Sequence, residues 1–443
     1  MTYENIKSAI LIILVCSSVL LTWSIWTYQP NVEVMDKQNN TVEKVAISDK
    51  KEVEEIVKPE RIYYHQDKER HFGTVDNNEI KKVIAEISRW NFTDFENVMS
   101  EISNYSSFIH QSGHAVIVFP DSVPIDLYRS SIDIKEKELP NFHFDRIVID
   151  VEGTEKEQSY VYFVSSQGDQ AYRSHVASSF VHNFNTGFFK NVEYNLNYDK
   201  YFSYQIAEER LLFLPVQETK MLRYQYLSNP LDAEKYKYAL FTDPSVVQKN
   251  FQSSGEEYKD YSSLMRVNNE RNTLSYVNPV ESSKNHFTSN NLLKRSIDFI
   301  NEHGGWTGDY RYVDVDESTH DVLFRLYESN GYPIFSEEYG ISEISHTWGQ
   351  NEIIEYSRSN FSLGTQIDTS EVVLQAGHEI IDVLEGMDEI KMDQIQDVVI
   401  GYTMKKDSQT VLVHLEPSWY YKYHDSWSKI SVNEMGGGNH GLE

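Results

Sequence analysis

Residues 8–26 read SAILIILVCSSVLLTWSIW, nineteen positions without an ionisable side chain except Cys16. As a helix rising about 1.5 Å per residue the stretch measures about 28 Å, close to a hydrocarbon core about 30 Å thick. It is therefore expected to cross a bilayer, and it decides how the rest of the chain is placed. A cleaved signal peptide would end its short apolar core at small residues. Here the run passes instead into Trp23, Trp26, Tyr28 and Pro30, and these three aromatics are expected to form an interfacial anchor. Cys16 follows Leu14 and Val15 with no small residue before it, so it reads as a membrane-buried thiol. Leu11, Val15, Ser18, Thr22 and Ile25 lie on one stripe of the helix, a candidate contact with a partner's membrane helix, because small hydroxyl residues allow close approach and interhelical hydrogen bonds. Each hydroxyl could equally bond its own preceding turn. Lys7 and the free amino terminus on one flank favour a cytoplasmic N-terminus, which places the body outside a cell membrane crossed once.

Up to Gln29 the chain holds one acid, Glu4, and one base, Lys7, so the formal net charge of -28 belongs to the residues beyond the anchor. So acidic a surface repels phosphate backbones, which excludes nucleic-acid binding. Cys16 is the single cysteine, so the region beyond the anchor must be stable without disulfides. That suits a Gram-positive surface. Its length is enough to bury two or three cores of ordinary domain size.

After the anchor (residues 1–29), the segment 30–59 is polar, charged and almost free of aromatics, and reads as a stalk, with a charged helix open to Val42–Val57. Residues 60–197 read as an N-terminal α+β domain. Its amphipathic helix Asn78–Trp90 has apolar positions at 80, 83, 84 and 87, Phe92–Ile109 continues helically, and Ala115–Phe119 (AVIVF) is a buried strand. Phe142–Asp150 and Tyr160–Ser165 come next as strands, and Ala177–Tyr194 as a helix. Residues 198–287 read as a central β-rich domain, with strands at Leu211–Pro215, Met221–Leu227 and Tyr236–Thr242 and a hairpin over Tyr258–Val277. Residues 288–433 read as a C-terminal α+β domain, opened by a helix from Asn290 that Gly304 and Gly305 should stop. Its other helix is placed at Glu371–Leu384, among several strands. The tail 434–443 is expected to be disordered. Helix-then-sheet order without regular βαβ alternation argues for α+β with mainly antiparallel sheets.

No complete chemistry-bearing motif is present. Gly-x-Ser-x-Gly, the P-loop and Gly-x-Gly-x-x-Gly are absent. His378-Glu379-Ile380-Ile381-Asp382 approaches a zinc-protease pattern, but the fifth position should be His and no third ligand lies nearby. His110 and His114 are four apart, yet Gly113 between them should end a helix before they face a common metal. Asp314–Asp321 begins like a calcium loop but has Thr319 where the turn requires Gly, so a solvated hairpin tip is expected. The 30 Tyr and seven Trp could stack on sugars, though aromatics at strand spacing usually pack a sheet. We expect no enzyme, no catalytic residue, no metal and no cofactor.

The opening IKSAILIILVCSSVLLTWSIWTYQP (6–30) resembles the YycH family of Firmicutes, as do FHFDRIVID (142–150), FINEHGGWTGDYRYV (299–313), NGYPIFSEEYG (330–340), TWG (347–349), IIEYSRSNF (353–361), IGYTMK (400–405) and PSWYYKYHDSW (417–427). The resemblance implies a single-pass protein with a three-domain extracytoplasmic α+β body. It further implies action, beside the anchored partner YycI, on the sensor histidine kinase WalK (YycG), whose response regulator controls cell-wall turnover. In that family the transmembrane helix contributes to kinase contact, which maps onto residues within Ile6–Trp26. A wall-binding module that recognises glycan or peptide without catalysis is the alternative.

Overall fold

The computed structural model describes residues 14, 15, 17–22, 48–152, 158–166, 169–280, 287–338, 340–406 and 410–431. Backbone contacts divide the chain between Lys44 and Val45 into two units. In the first, the described residues 14, 15 and 17–22 are helical (α1) and exposed. Thr22 Oγ1 donates to the Ser18 carbonyl one turn back at 2.9 Å, the local use of a helix hydroxyl. Among the described residues no helix is long and apolar enough to cross a membrane. The rest of the apolar stretch, including Leu11, Trp23, Ile25, Trp26 and Tyr28, lies outside the described residues, as do positions 30–47 and the tail 434–443.

The second unit begins with residues whose composition predicts a stalk. Glu52 and Glu55 form a capping box around the short helix α2 (Val53–Ile56), with Ile56 and Val57 in the core. Ser48 Oγ donates to the Trp306 carbonyl at 2.7 Å, Lys51 Nζ to the Gly308 carbonyl at 2.8 Å, and Lys58 Nζ pairs with Asp309 at 3.4 Å. Positions 48–59 therefore belong to the body: their charges meet specific partners, and Ile56 and Val57 are buried.

Ten strands over residues 61–215 make the first sheet. They are β1 (Arg61–His65), β2 (His71–Thr74), β3 (Asn91–Asn97), β4 (His114–Pro124), β5 (Asp133–Ile134), β6 (His143–Asp150), β7 (Gln158–Val164), β8 (Ala171–Ala177), β9 (Asp199–Ala207) and β10 (Arg210–Pro215). Their order is β10-β9-β2-β1-β4-β6-β7-β8-β3-β5, antiparallel except for β3 against β5. The centre explains the apolar run AVIVF. Ile62, Tyr64, Ala115, Ile117, Phe119, Ile147 and Ile149 face the main core, whereas Tyr63, Val116, Val118 and Val148 face a second cluster with Val98, Ile109 and Phe213. A strand covered on both faces has no polar alternation to show. Helix α3 (Asn77–Ile87), capped by Asp76, buries Ile80, Val83 and Ile87 as its spacing requires. The stretch expected to continue helically instead forms β3, a 3₁₀ turn at Met99–Glu101 and the short α4 (Tyr105–Ile109). Pairing of β3 with β8, through an irregularity where Asp94 takes a positive φ of 55°, outweighs local propensity. The strand through Pro120 is likewise longer than expected, because its register shifts between Val118 and Val123.

The remaining strands are β11 (Thr219–Pro230), β12 (Gln248–Gln252), β13 (Gly255–Lys259), β14 (Leu264–Asn268), β15 (Thr273–Val277), β16 (Tyr310–Asp316), β17 (Asp321–Leu326), β18 (Ile334–Phe335), β19 (Glu343–Trp348), β20 (Ile353–Ser359), β21 (Phe361–Leu374), β22 (Ile395–Lys406), β23 (Leu412–Tyr423) and β24 (Ser426–Lys429). The second sheet runs β18-β22-β23-β11-β21 with β24 beside β23, and the third β12-β13-β14-β15-β20-β19-β17-β16. Both sheets take strands from either side of position 287, and the first sheet runs past position 197 through β9 and β10. Residues 288–303 supply the principal helix of this half (Ser289–His303), capped by Thr288, closed by Gly304 at φ 63° and burying Leu292, Leu293, Ile297 and Ile300. Tyr236–Thr242, expected as a strand, lies mostly in a helix, Ala233–Leu240. Asp232 caps it, and Tyr236 and Leu240, one turn apart, are its buried residues. Glu371 belongs to β21, and the helix placed there starts at Gly377. The body is thus α+β with mainly antiparallel sheets.

Candidate functional site

The sequence candidates for chemistry disperse. His378 and Asp382 sit on the exposed side of the Gly377–Glu385 helix, opposite buried Ile380, Ile381 and Leu384; His378 is 3.9 Å from neighbouring Glu379. Asp316 spends its carboxylate on the β16–β17 turn, accepting from Ser318 N at 2.7 Å and Thr319 N at 3.3 Å, so this is a hairpin tip. His114 Nδ1 faces the Ile109 carbonyl, whereas His110 Nδ1 meets His65 Nε2 at 3.0 Å. His65 Nδ1 in turn meets His71 Nδ1 at 2.9 Å. His65 uses opposite ring nitrogens for its two neighbours, so the three rings form a chain and share no point at which one ion could sit. Burial keeps the chain neutral: it holds His65 well below the ordinary histidine range and brings His110 to about 3, with Arg146 adding repulsion at His110. Among the described residues no group of three or more His, Cys, Asp and Glu is placed to hold a metal.

What the fold does bring together is a polar cleft of about 460 Å³ between the first sheet and the β22–β24 side of the second, with a cavity of about 240 Å³ beside it. Four of the runs that carry the sequence resemblance converge here: Asp145 and Arg146 from β6, Val313 from β16, Pro333 and Phe335 at β18, and Lys422, Asp425 and Trp427 from β23, β24 and the turn between them. At its centre Arg61, from β1, donates through Nη1 to Asp397 Oδ1 of β22 at 3.1 Å and through Nη2 to Glu60 Oε1 at 2.8 Å. Burial works against the charge of Arg61, but Asp397, Tyr63 and Glu60 more than offset it and raise its pKa well above the ordinary value. Arg146 Nη1 donates to the carbonyls of Phe119 and Asp145 and lies 3.2 Å from Asp145 Oδ2. Arg210 Nη1 reaches the carbonyls of Asp393 and Ile395 at 3.3 and 3.0 Å. Arg325 pairs with Glu343 at 2.8 Å and lies over the Phe335 ring. Asp121, which also lines the cleft, is pushed up to about 8 by burial and by its hydrogen bond and repulsion with Asp314 of β16, so Asp121 holds a proton at neutral pH.

Sequence reasoning missed this cleft, because its residues come from positions as far apart as 60 and 427. The available signal was local: Arg61 opens the strand RIYYH, and Arg146 stands beside Asp145 just before the apolar run IVI, and a charge entering a buried strand needs a partner. Of the anchor-stripe residues, Val15, Ser18 and Thr22 are exposed on α1, and the others lie outside the described residues.

Comparison with known proteins bears on both ends of the chain. The family model described as YycH protein, N-terminal domain, matches residues 4–192, and that described as YycH protein, C-terminal domain, matches residues 209–437. A protein of Bacillus subtilis (strain 168) described as two-component system WalR/WalK regulatory protein YycH is 26% identical over 466 residues, covering 100% of both chains. The crystal structure of YycH from Bacillus subtilis has a similar fold, with a TM-score of 0.73 at 21% identity over 88% of this chain and 99% of that one. Matched by both family models, from residue 4 to residue 437, the chain belongs to the YycH family.

Proposed function

We propose that the chain is a membrane-anchored, extracytoplasmic, non-catalytic regulator of the sensor histidine kinase WalK, acting beside a YycI-like anchored protein. The observation that carries this reading is the end-to-end likeness to a WalR/WalK regulatory protein: both chains are covered completely, and the N-terminal family model takes in the apolar stretch as well as eight of the ten strands of the first sheet, β1 to β8. The nineteen uncharged residues of Ser8–Trp26 support a single crossing with the body outside the cell. Regulation requires that the chain bind the signalling states of the kinase with different affinity, since equal affinity would shift nothing. We assign the membrane part of that contact to Leu11, Val15, Ser18, Thr22 and Ile25, with Trp23, Trp26 and Tyr28 setting the depth of the helix. The test is co-reconstitution of the full-length chain with WalK in lipid vesicles, reading kinase autophosphorylation with and without the chain and with the YycI-like protein added. A change in rate in either direction is expected. An unchanged rate in every combination would contradict the proposal and favour a wall-binding role.

A further inference from the structure

We propose that the cleft is a binding site for an oxyanion, a carboxylate or a phosphate group, held between Arg146 and Arg210 with Arg61 behind them. Six residues line both the larger and the smaller cavity and so mark their junction: Arg61, Arg146, Ser166, Arg210, Gln396 and Asp397. Three of the six are arginines, drawn from β1, β6 and β10, and each has donor capacity left over. A guanidinium carries five N–H donors in a fixed fork. Among the described residues, Arg146 and Arg210 donate only through Nη1, to main-chain carbonyls, apart from the ion pair of Arg146 with Asp145; Nε and Nη2 of both find no protein acceptor. Arg61 is 8% exposed, and its buried Nε has no partner. Leaving such a donor unmade costs about 1–3 kcal/mol, so an acceptor supplied from outside gains directly.

Charge points the same way. The chain carries a net charge of -28, yet Arg210 has no carboxylate within ion-pair distance among the described residues. The smaller cavity is lined by three guanidiniums against the carboxylates of Glu209 and Asp397, of which Asp397 is already engaged by Arg61. In the larger cavity Arg61, Arg146, Arg210, Arg325 and Lys422 face five carboxylates, of which Asp121 holds a proton, Glu60 and Asp397 are engaged by Arg61, Asp145 by Arg146, and Asp425 by Gln396. Bidentate recognition of a planar carboxylate or a phosphate is what a guanidinium fork does best. The volumes of about 240 and 460 Å³ suit a small molecule or the end of a short polymer. The Gln396 amide exchanges hydrogen bonds with Asp425 and the Ser166 hydroxyl donates to Asp145, so they shape the wall and leave the anion to the arginines. This inference stands on the cleft alone and is independent of the kinase reading.

The test uses the full-length chain in detergent micelles, titrated with inorganic phosphate or acetate against chloride at constant ionic strength. Thermal unfolding is followed by circular dichroism, and the 31P linewidth of phosphate by NMR. We expect a saturable rise in melting temperature and a 31P broadening that acetate reverses if carboxylate is preferred. In Arg146→Gln/Arg210→Gln the apparent affinity should fall at least tenfold, whereas Arg173→Gln, whose guanidinium pairs with Glu96 and Glu101 away from the cleft, should match wild type. The single variant Arg210→Lys keeps the charge and loses the fork; it should bind several-fold more weakly even if the double variant does not fold. Phosphate and acetate behaving like chloride, or full affinity in the folded arginine variants, would overturn the proposal.

Discussion

Arg61 and Asp397 lie 336 positions apart in sequence and join the first sheet to the second. Removing Asp397 leaves the buried Arg61 guanidinium with Glu60 as its carboxylate partner and one charge-assisted hydrogen bond fewer, so Asp397→Ala is expected to destabilise the body by about 1.5–3 kcal/mol, measured by urea unfolding. Asp121 gives a second residue-scale prediction, with a definite sign. Its pKa is raised from 3.8 to about 8, so the native state keeps a proton that the unfolded chain loses. The stability this contributes is complete below about pH 4 and declines as pH rises towards about 8. The buried histidines act oppositely: their lowered pKa values favour the native state above the ordinary histidine value of 6.5 and cost stability below it. The histidine effect fades about one pH unit above 6.5, so the Asp121 effect is read as a difference between variants: from pH 6.5 to 8 the melting temperature of Asp121→Asn should rise more, or fall less, than that of the wild type. At this scale the sequence showed little, because a site assembled from β1, β6, β10 and β22 leaves no spacing to read. His378 and Asp382 did share a helix face, but that face points to solvent.

Elements were legible wherever one periodicity ruled. The Ser289–His303 helix has its cap, apolar stripe and Gly304 stop at readable positions, and AVIVF could only be a buried strand. Elements went unread where pairing partners decided the outcome, as for β3 against β8 and β21 against β11, whose long ladder extends through Glu371 to Leu374. Residues 48–59 are the instructive case. Composition marks them as linker, and only the tertiary contacts of Lys51, Ile56 and Lys58 show them to be the first element of the body. Ile56 is fully buried, so Ile56→Ala should cost about 2–5 kcal/mol in chemical denaturation, whereas a residue in a free stalk would change stability by less than about 0.5 kcal/mol.

At the scale of the whole molecule the α+β class and the antiparallel sheets were readable from element order, but the partition among sheets was not. The second and third sheets each recruit strands from both sides of position 287, which no local signal announces. The family, in contrast, was legible in ordered runs of sequence, and those of 142–150, 299–313, 330–340 and 417–427 meet in the cleft. The proposed anchored arrangement would offer two surfaces for recognition, the apolar stretch Ser8–Trp26 and the acidic body beyond it. The central claim is that the membrane stretch gives the chain its kinase specificity, and membrane co-purification with WalK and the YycI-like protein tests it most directly. The full-length chain would be compared with a version whose Ser8–Trp26 is replaced by an unrelated membrane helix of equal length. Capture of the kinase by the native chain and its loss with the substitute is the predicted result; equal capture by both would contradict it and move recognition to the body.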